Sequence, residues 1–283
     1  MNENLIALIS EQTLKNIFAF ITILFVSVFA VAQDKTDTSF VEKTLFPAVT
    51  LLYTQSESGS MNMHCTATAF EKVEGGYIFA TAAHCAVDND IESNKYGEIV
   101  NTEYFITPDE TASSKTFLKA EVIACGKQEK GDDFCLVYVK TDTIFPIVSI
   151  GVDSTNLGGE SIVNVSSPLG LGKQTFYGRI TSPKLDRSVV IDSINWTHTV
   201  LMQLPGTNSG SSGSAVICLQ QHSVCGFLVG IIGTSTIVAV PVSKFTTFLA
   251  NVKECRTKEY LSNENLEDSV FKFSCPKDDK DKK

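Results

Sequence analysis

The chain has 283 residues, 43% of them hydrophobic and 19% charged, a balance that excludes wholesale disorder and suffices for one large core or two small ones. Its formal charge of −9 and sequence pI of about 5.0 argue against nucleic-acid binding, which needs a basic footprint, and read most simply as solubility.

The N-terminal stretch carries an apolar run, Ile17 to Ala32, preceded by Lys15 and closing on Ala30-Val31-Ala32. A short apolar core that ends in small residues is the layout of a secretory signal peptide, with cleavage expected between Ala32 and Gln33. The run falls short of the ~20 residues that a membrane-spanning helix needs. Glu3 and Glu11 outnumber the single Lys15 ahead of it, so an uncleaved membrane anchor and a buried helix stand as alternatives. A membrane is a partner only if residues 17–32 are such an anchor. Residues 1–32 are thus the leader, and 33–43 a polar arm.

From residue 44 to 254 the sequence reads as one domain of short β-type runs. Ala48–Tyr53, Thr66–Phe70, Tyr77–Thr81, Ala120–Cys125 and Phe134–Val139 come first; Ser161–Ser166, Ser214–Leu219 and Phe227–Ile232 follow. They are rich in Val, Ile, Phe and Thr and are separated by Gly, Asn, Asp and Ser, which predicts an all-β barrel or sandwich. Helical periodicity is expected only at Ser243–Glu254, where a Ser at the N-cap position precedes Phe245, Phe248, Leu249 and Val252. Residues 255–283 read as a charged tail, solvated and disordered towards its lysine-rich end.

Eight cysteines in a chain with an export signal suggest disulfides. No CxxC pair occurs, and no histidine stands at zinc-finger spacing from two cysteines, so no metal is expected. Local pairing predicts Cys125–Cys135, Cys218–Cys225 and Cys255–Cys275. The first would brace the strand that follows Asp133, and the second would close a hairpin after Ser212.

Nucleophilic acyl transfer needs an activated hydroxyl, a base, a carboxylate to orient the base, and backbone N–H groups aimed at the oxyanion. Three segments offer these parts in the order His, Asp, Ser. They are Thr81-Ala82-Ala83-His84-Cys85, then Gly131-Asp132-Asp133-Phe134-Cys135-Leu136-Val137, then Gly210-Ser211-Ser212-Gly213-Ser214. Alone, His84 would be an ordinary turn histidine, the two acids a solvated turn, and the Gly/Ser string a flexible loop.

Together the three segments resemble the catalytic motifs of the trypsin/chymotrypsin-like serine proteases. The resemblance implies a catalytic triad of His84, Asp133 and Ser212, with Asp132 one residue out of register. It implies an oxyanion hole from the Gly210 and Ser212 amides. A second frame, Asn208-Ser209-Gly210-Ser211, would make Ser209 the nucleophile, but the family enters an aliphatic strand about three residues after its serine, and only Ser212 stands that far ahead of Ala215-Val216-Ile217. The family also often joins the strand before its histidine to the residue after it, implying a Cys65–Cys85 bridge. Ser167–Pro183, Val229–Thr234 and Val238–Phe245 resemble the HtrA-type branch, without sequence for a PDZ domain. The implied fold is two perpendicular six-stranded antiparallel β-barrels, parting near residues 142–158, with a short C-terminal helix. The implied activity is cleavage of protein or peptide substrates without a cofactor; a catalytically silent binding module on the same fold is the rival.

The departures from the family also carry information. Ser211 precedes the nucleophile where trypsin-type zymogens use an Asp to hold a freed N-terminus, and no Arg/Lys-Ile-Val-Gly-Gly activation site occurs, so activation by N-terminal insertion is not expected. Ser214-Ala215 replaces the usual Gly-Pro. Gly206 stands where the base of the S1 pocket is expected, and Ile231, Ile232 and Gly233 complete the substrate-binding set. With no acid at that base, the P1 residue should be uncharged, small to medium and apolar. His64, His198, His222 and Trp196 read as ordinary structural residues. Asn164-Val165-Ser166 and Asn195-Trp196-Thr197 are glycosylation sequons that matter only in a eukaryotic secretory pathway.

Overall fold

A computed structural model describes residues 37–88, 92–95, 98–100, 103–109, 116–126, 131–151, 157–183, 189–191, 194–196 and 199–262. The expected leader, His198, the Cys255–Cys275 pair and the far C-terminal tail fall outside what is described. Residues up to Glu42 separate as a unit of their own, of which 37–42 are helical; the main body starts at Lys43. Helical backbone at Phe46–Ala48 leads into it, so the first strand starts a little later than the β-type run in the sequence.

The first barrel is built from β1 (Val49–Gln55), β2 (Met61–Val73), β3 (Gly76–Thr81), β4 (Glu103–Ile106), β5 (Leu118–Cys125) and β6 (Cys135–Lys140). Their order is β1-β2-β3-β6-β5-β4, and the pairing of Tyr53 with Phe105 closes the ring. β3 is buried along its whole length, which explains why Tyr77–Thr81 is a continuous apolar run and not an alternating one. Leu52, Phe79, Tyr104 and Ile106 are among its fully buried side chains.

The connection between the barrels carries the two-residue β7 (Ser149–Ile150). The second barrel uses β8 (Ser161–Ser166) and β9 (Gln174–Ser182), then β12 (Val200–Gln203), β13 (Ala215–Cys218), β14 (Ser223–Ile232) and β15 (Thr236–Pro241). Between β9 and β12 lies a separate two-stranded sheet, β10 (Val189–Ile191) with β11 (Ile194–Trp196), which the sequence reading did not foresee. The barrel order is β13-β8-β9-β12-β15-β14, closed by β13 against β14, with β7 added parallel to β14. Two closed six-stranded antiparallel barrels are thus present, each without a long open edge to invite aggregation. The second core packs Ile162, Ile180, Met202, Leu204, Val216 and Leu228 among others.

Helix α1 (Val242–Ser262) follows β15 directly. The sequence reading stopped it at Glu254. It runs on because Arg256, Lys258, Glu259 and Leu261 are good helix formers and neither Gly nor Pro interrupts them. The first part of the expected tail is therefore helical. Among the described residues no helix is long and apolar enough to cross a membrane.

β2 is the strand on which the barrels meet. Thr66 N–H donates to Ser212 O (3.0 Å), Thr66 Oγ1 to Gly210 O (2.7 Å), and Ala215 N–H to Thr68 Oγ1 (3.2 Å). An aromatic cluster fastens the same junction. Phe134 of the first barrel lies 5.9 Å from Phe227 of the second, and Phe245 of α1 sits 5.2 Å from Phe134 and 4.5 Å from Phe227. Phe248 stacks on Phe134 at 5.9 Å, and Phe70 meets Phe245 edge-on at 5.4 Å. Such pairs add to the burial of their area.

Candidate active site

His84 sits in a single 3₁₀ turn, Ala83–Cys85, immediately after β3. Asp133 lies two residues before β6, the strand paired with β3 through Thr81 and Cys135, so the sheet itself brings the two side chains together. Asp133 is wholly buried, and both its oxygens are engaged by one residue. Oδ1 accepts the His84 backbone N–H (2.7 Å), and Oδ2 lies 2.6 Å from His84 Nδ1. The imidazole, about a fifth exposed, is thereby fixed with Nδ1 towards the carboxylate and Nε2 away from it. Asp132, the neighbouring acid, turns to α1, where Lys244 Nζ lies 3.6 Å from its Oδ1.

Disulfides brace these pieces. Cys65 on β2 is joined to Cys85 beside the histidine, and Cys125 to Cys135 across β5 and β6. Cys218–Cys225 links β13 to β14. Cys65, His84 and Cys85 offer atoms within 4.8 Å of one another, but the two sulfurs are bonded together, so this group has no thiolate to give a metal. A further brace was not visible in the sequence. Cys85 O accepts from both the buried Tyr104 hydroxyl and His64 Nε2 (2.9 Å), and the His64 and Tyr104 rings stack 6.0 Å apart. His64 is therefore structural, as read, yet it supports the histidine turn.

The loop 206–214 is shaped by three glycines with positive φ, a region that favours glycine. At Gly210 (φ +93°) a Cβ would stand 2.6 Å from Met63 Cε and 2.7 Å from Ser167 O. At Gly213 (φ +84°) it would meet Thr81 Oγ1, Ala82 N (2.5 Å) and Thr66 O (2.7 Å). Gly213 thus lies flush against Thr81 and Ala82, the residues that lead into His84. Ser209 lies elsewhere: it is exposed, and its carbonyl accepts from Leu169 N–H (2.7 Å). Ser212 is half-buried. Among the described residues, the N–H groups of Gly210 and Ser212 have no protein acceptor, whereas Ser211 N–H donates to Asn208 O (2.9 Å). Two amides on one tight loop are left to receive an external oxygen.

Gly206 (φ +95°) faces the ring of Phe176 on β9, whose Cε1 would lie 2.7 Å from an added Cβ. Ile231 is half-buried and packs on the second core, while Ile232 and Gly233 are exposed at the end of β14. Asn164 departs most from its reading in the sequence. It is wholly buried on β8, its amide nitrogen donating to Ser214 Oγ (2.8 Å) and Ala215 O (2.9 Å). It is not a surface glycan acceptor. Polar burial at a sequon gave no sign in the sequence, though the runs of Ser that surround it are its partners.

The family model for the trypsin-like peptidase domain matches residues 65–231, more than half of the chain. The chain belongs to that family. The match spans the peptidase domain from Cys65, beside the histidine strand, through the loop of Ser212 to Ile231. Among curated proteins none matches the chain.

Proposed function

We propose that the protein is an exported serine endopeptidase with His84, Asp133 and Ser212 as its catalytic residues. The observation that carries this reading is the buried Asp133, which spends both carboxylate oxygens on His84 alone. With Nδ1–H held by that carboxylate, Nε2 is left as the acceptor for a hydroxyl proton.

Ser212 Oγ attacks the scissile carbonyl carbon while its proton passes to His84 Nε2. The C=O π pair becomes an alkoxide held by the Gly210 and Ser212 N–H groups. As the C–N bond breaks, His84 returns the proton to the leaving amine, and an ester to Ser212 remains. Water then attacks this ester with His84 again as base, releasing the acid and restoring the serine. Asp133 stabilises the imidazolium at each stage and keeps its own charge. No cofactor enters this sequence.

For the substrate we propose an uncharged, small-to-medium apolar P1 residue, held at Gly206 with Ile231, Ile232 and Gly233 along the adjoining strand. The Phe176 ring beneath Gly206 supports an apolar floor, where a basic P1 would want a carboxylate. The partners are protein or peptide substrates and not nucleic acid. We place the protein in the HtrA-type branch, and outside the cytoplasm as a secreted or periplasmic enzyme. The three disulfides support an oxidising compartment.

The test is covalent labelling of the purified full chain with a fluorophosphonate, followed by peptide mapping. Modification at Ser212, abolished by Ser212→Ala and by His84→Ala, is expected. A folded, disulfide-bonded protein that takes no label would overturn the reading in favour of a silent binding module.

A further inference from the structure

We propose that Asn164 is a positioning residue: with Ser166, Ser211 and Ser214 it holds the nucleophile loop in its reactive shape, in place of a freed N-terminus. This rests on the assignment of Ser212 as nucleophile. The residue before the nucleophile is Ser211, which bears no charge to pair with a terminal amine, and something else must fix the loop.

The hydrogen bonds form one consistent circuit. Asn164 Nδ2 donates to Ser214 Oγ and to Ala215 O. Ser214 O–H in turn donates to Ser211 O (2.7 Å). On the other side of the amide, Ser166 Oγ lies 2.8 Å from Asn164 Oδ1 and 3.1 Å from Ser211 Oγ, which also receives the Asn208 N–H (3.4 Å). Ser166 Oγ is the donor in both contacts, so its single proton is shared between Asn164 Oδ1, the shorter one, and Ser211 Oγ. Ser166 and Ser214 thus both donate, Ser211 Oγ accepts from two donors, and the amide uses both its ends. Asn164, Ser166, Ser211 and Ser214 are all fully buried, where a polar network either satisfies every member or costs heavily.

The circuit grips Ser211 and Ser214, the residues either side of Ser212-Gly213. From the opposite side Thr66 takes the carbonyls of Gly210 and Ser212. The Ser212 N–H shares its planar peptide with Ser211 O, which the Ser214 hydroxyl holds, and the Gly210 N–H shares its own with Ser209 O, which Leu169 N–H holds, so both N–H groups point away from those contacts. Among the described residues, every partner in this arrangement lies between Thr66 and Ala215. The amide is needed as such: an aspartate would supply no N–H to Ser214 and Ala215 and would bury a charge.

The test uses the full chain and an uncharged peptide ester or thioester substrate. Asn164→Ala, and separately Ser211→Ala and Ser214→Ala, should lower kcat and the fluorophosphonate labelling rate by about tenfold or more, as expected when reacting groups shift by a fraction of an ångström. KM should stay within about twofold, because the substrate strand is untouched. The pair Asn164→Ala with Ser214→Ala should be no slower than the worse single variant, since both act through one loop. A folded Asn164→Ala protein that labels at the wild-type rate would overturn the proposal. Should Asn164→Ala not fold, wild-type labelling in both serine variants overturns it equally. A wild-type chain that reacts only after its N-terminal segment is trimmed would also overturn it, while leaving Ser212 as nucleophile. Failure of the wild type to label under any condition instead removes the catalytic reading beneath it.

Discussion

Gly213→Ala probes the docking of the nucleophile loop on the histidine strand. The new methyl would stand 2.5 Å from Ala82 N and 2.7 Å from Thr66 O, both backbone atoms, one just past β3 and the other on β2. The gap to ordinary van der Waals contact is about 1 Å, and neither atom can swing aside as a side-chain end could. The backbone there has φ +84°, which costs a residue with a Cβ about 1–2 kcal/mol. Overpacking adds about 1–3 kcal/mol, so the variant should lose roughly 2–5 kcal/mol. Gly172→Ala is the control, because φ is +86° and nothing lies within 4 Å; it should lose only the backbone share, about 1–2 kcal/mol. Urea unfolding measured in a Ser212→Ala background avoids self-digestion and gives both values. In the active background, a loop pushed back by 1 Å should slow Ser212 labelling by about a hundredfold in Gly213→Ala and leave Gly172→Ala near wild type. Equal losses for the two variants would refute the docking of this loop against Thr66, Thr81 and Ala82.

Asp133→Asn should keep the fold, since an amide oxygen can still accept the His84 N–H, but its NH₂ would face Nδ1 and force the other tautomer. Steady-state kinetics should then show a loss of about ten-thousandfold in kcat. Replacing Cys125 and Cys135 together by Ser removes a bridge across β5 and β6 and should cost about 2–4 kcal/mol in a chemical denaturation curve. Burial, then the charges of Glu121 and Glu74, raise the Tyr138 phenol above its ordinary 10.0. Its contribution to stability is therefore whole below the unfolded-state value and is lost as pH climbs through the raised one. Ultraviolet titration of wild type against Tyr138→Phe should show the missing phenol ionising at higher pH than a free tyrosine.

What the sequence made legible were the parts carried by local chemistry. The apolar runs marked most of the barrel strands, and the resemblance to the family's pattern of an acid, an apolar residue, a small residue and then aliphatics pointed to Asp133 in preference to Asp132. The structure sends the two acids to different partners, His84 and Lys244. Pairing of near cysteines across hairpins was readable because a hairpin sets its own register. The missing parts depend on contacts distant in sequence. His64 supports Cys85 only because β2 and the histidine turn are held side by side, and Asn164 reaches Ser214 only because β8 lies against β13. Ile231, read as a substrate contact, packs partly on the second core. The β10–β11 hairpin, a short pair of strands outside both barrels, lacked the long apolar run by which the others were seen.

The aromatic cluster at the junction also says something about time. A chain is made from its N-terminus, so β1 to β6, with His84 and Asp133, are complete long before Phe245 and Phe248 exist. Phe134 and Phe227 have each other by then, but the ring that lies closest to Phe227, and against Phe134 as well, belongs to a helix within the last stretch of the polypeptide. The histidine–aspartate pair is thus made before the helix whose rings clamp the two barrels together. A nascent or truncated chain ending before residue 242 carries His84, Asp133 and Ser212 and lacks the aromatic fastener between the two barrels.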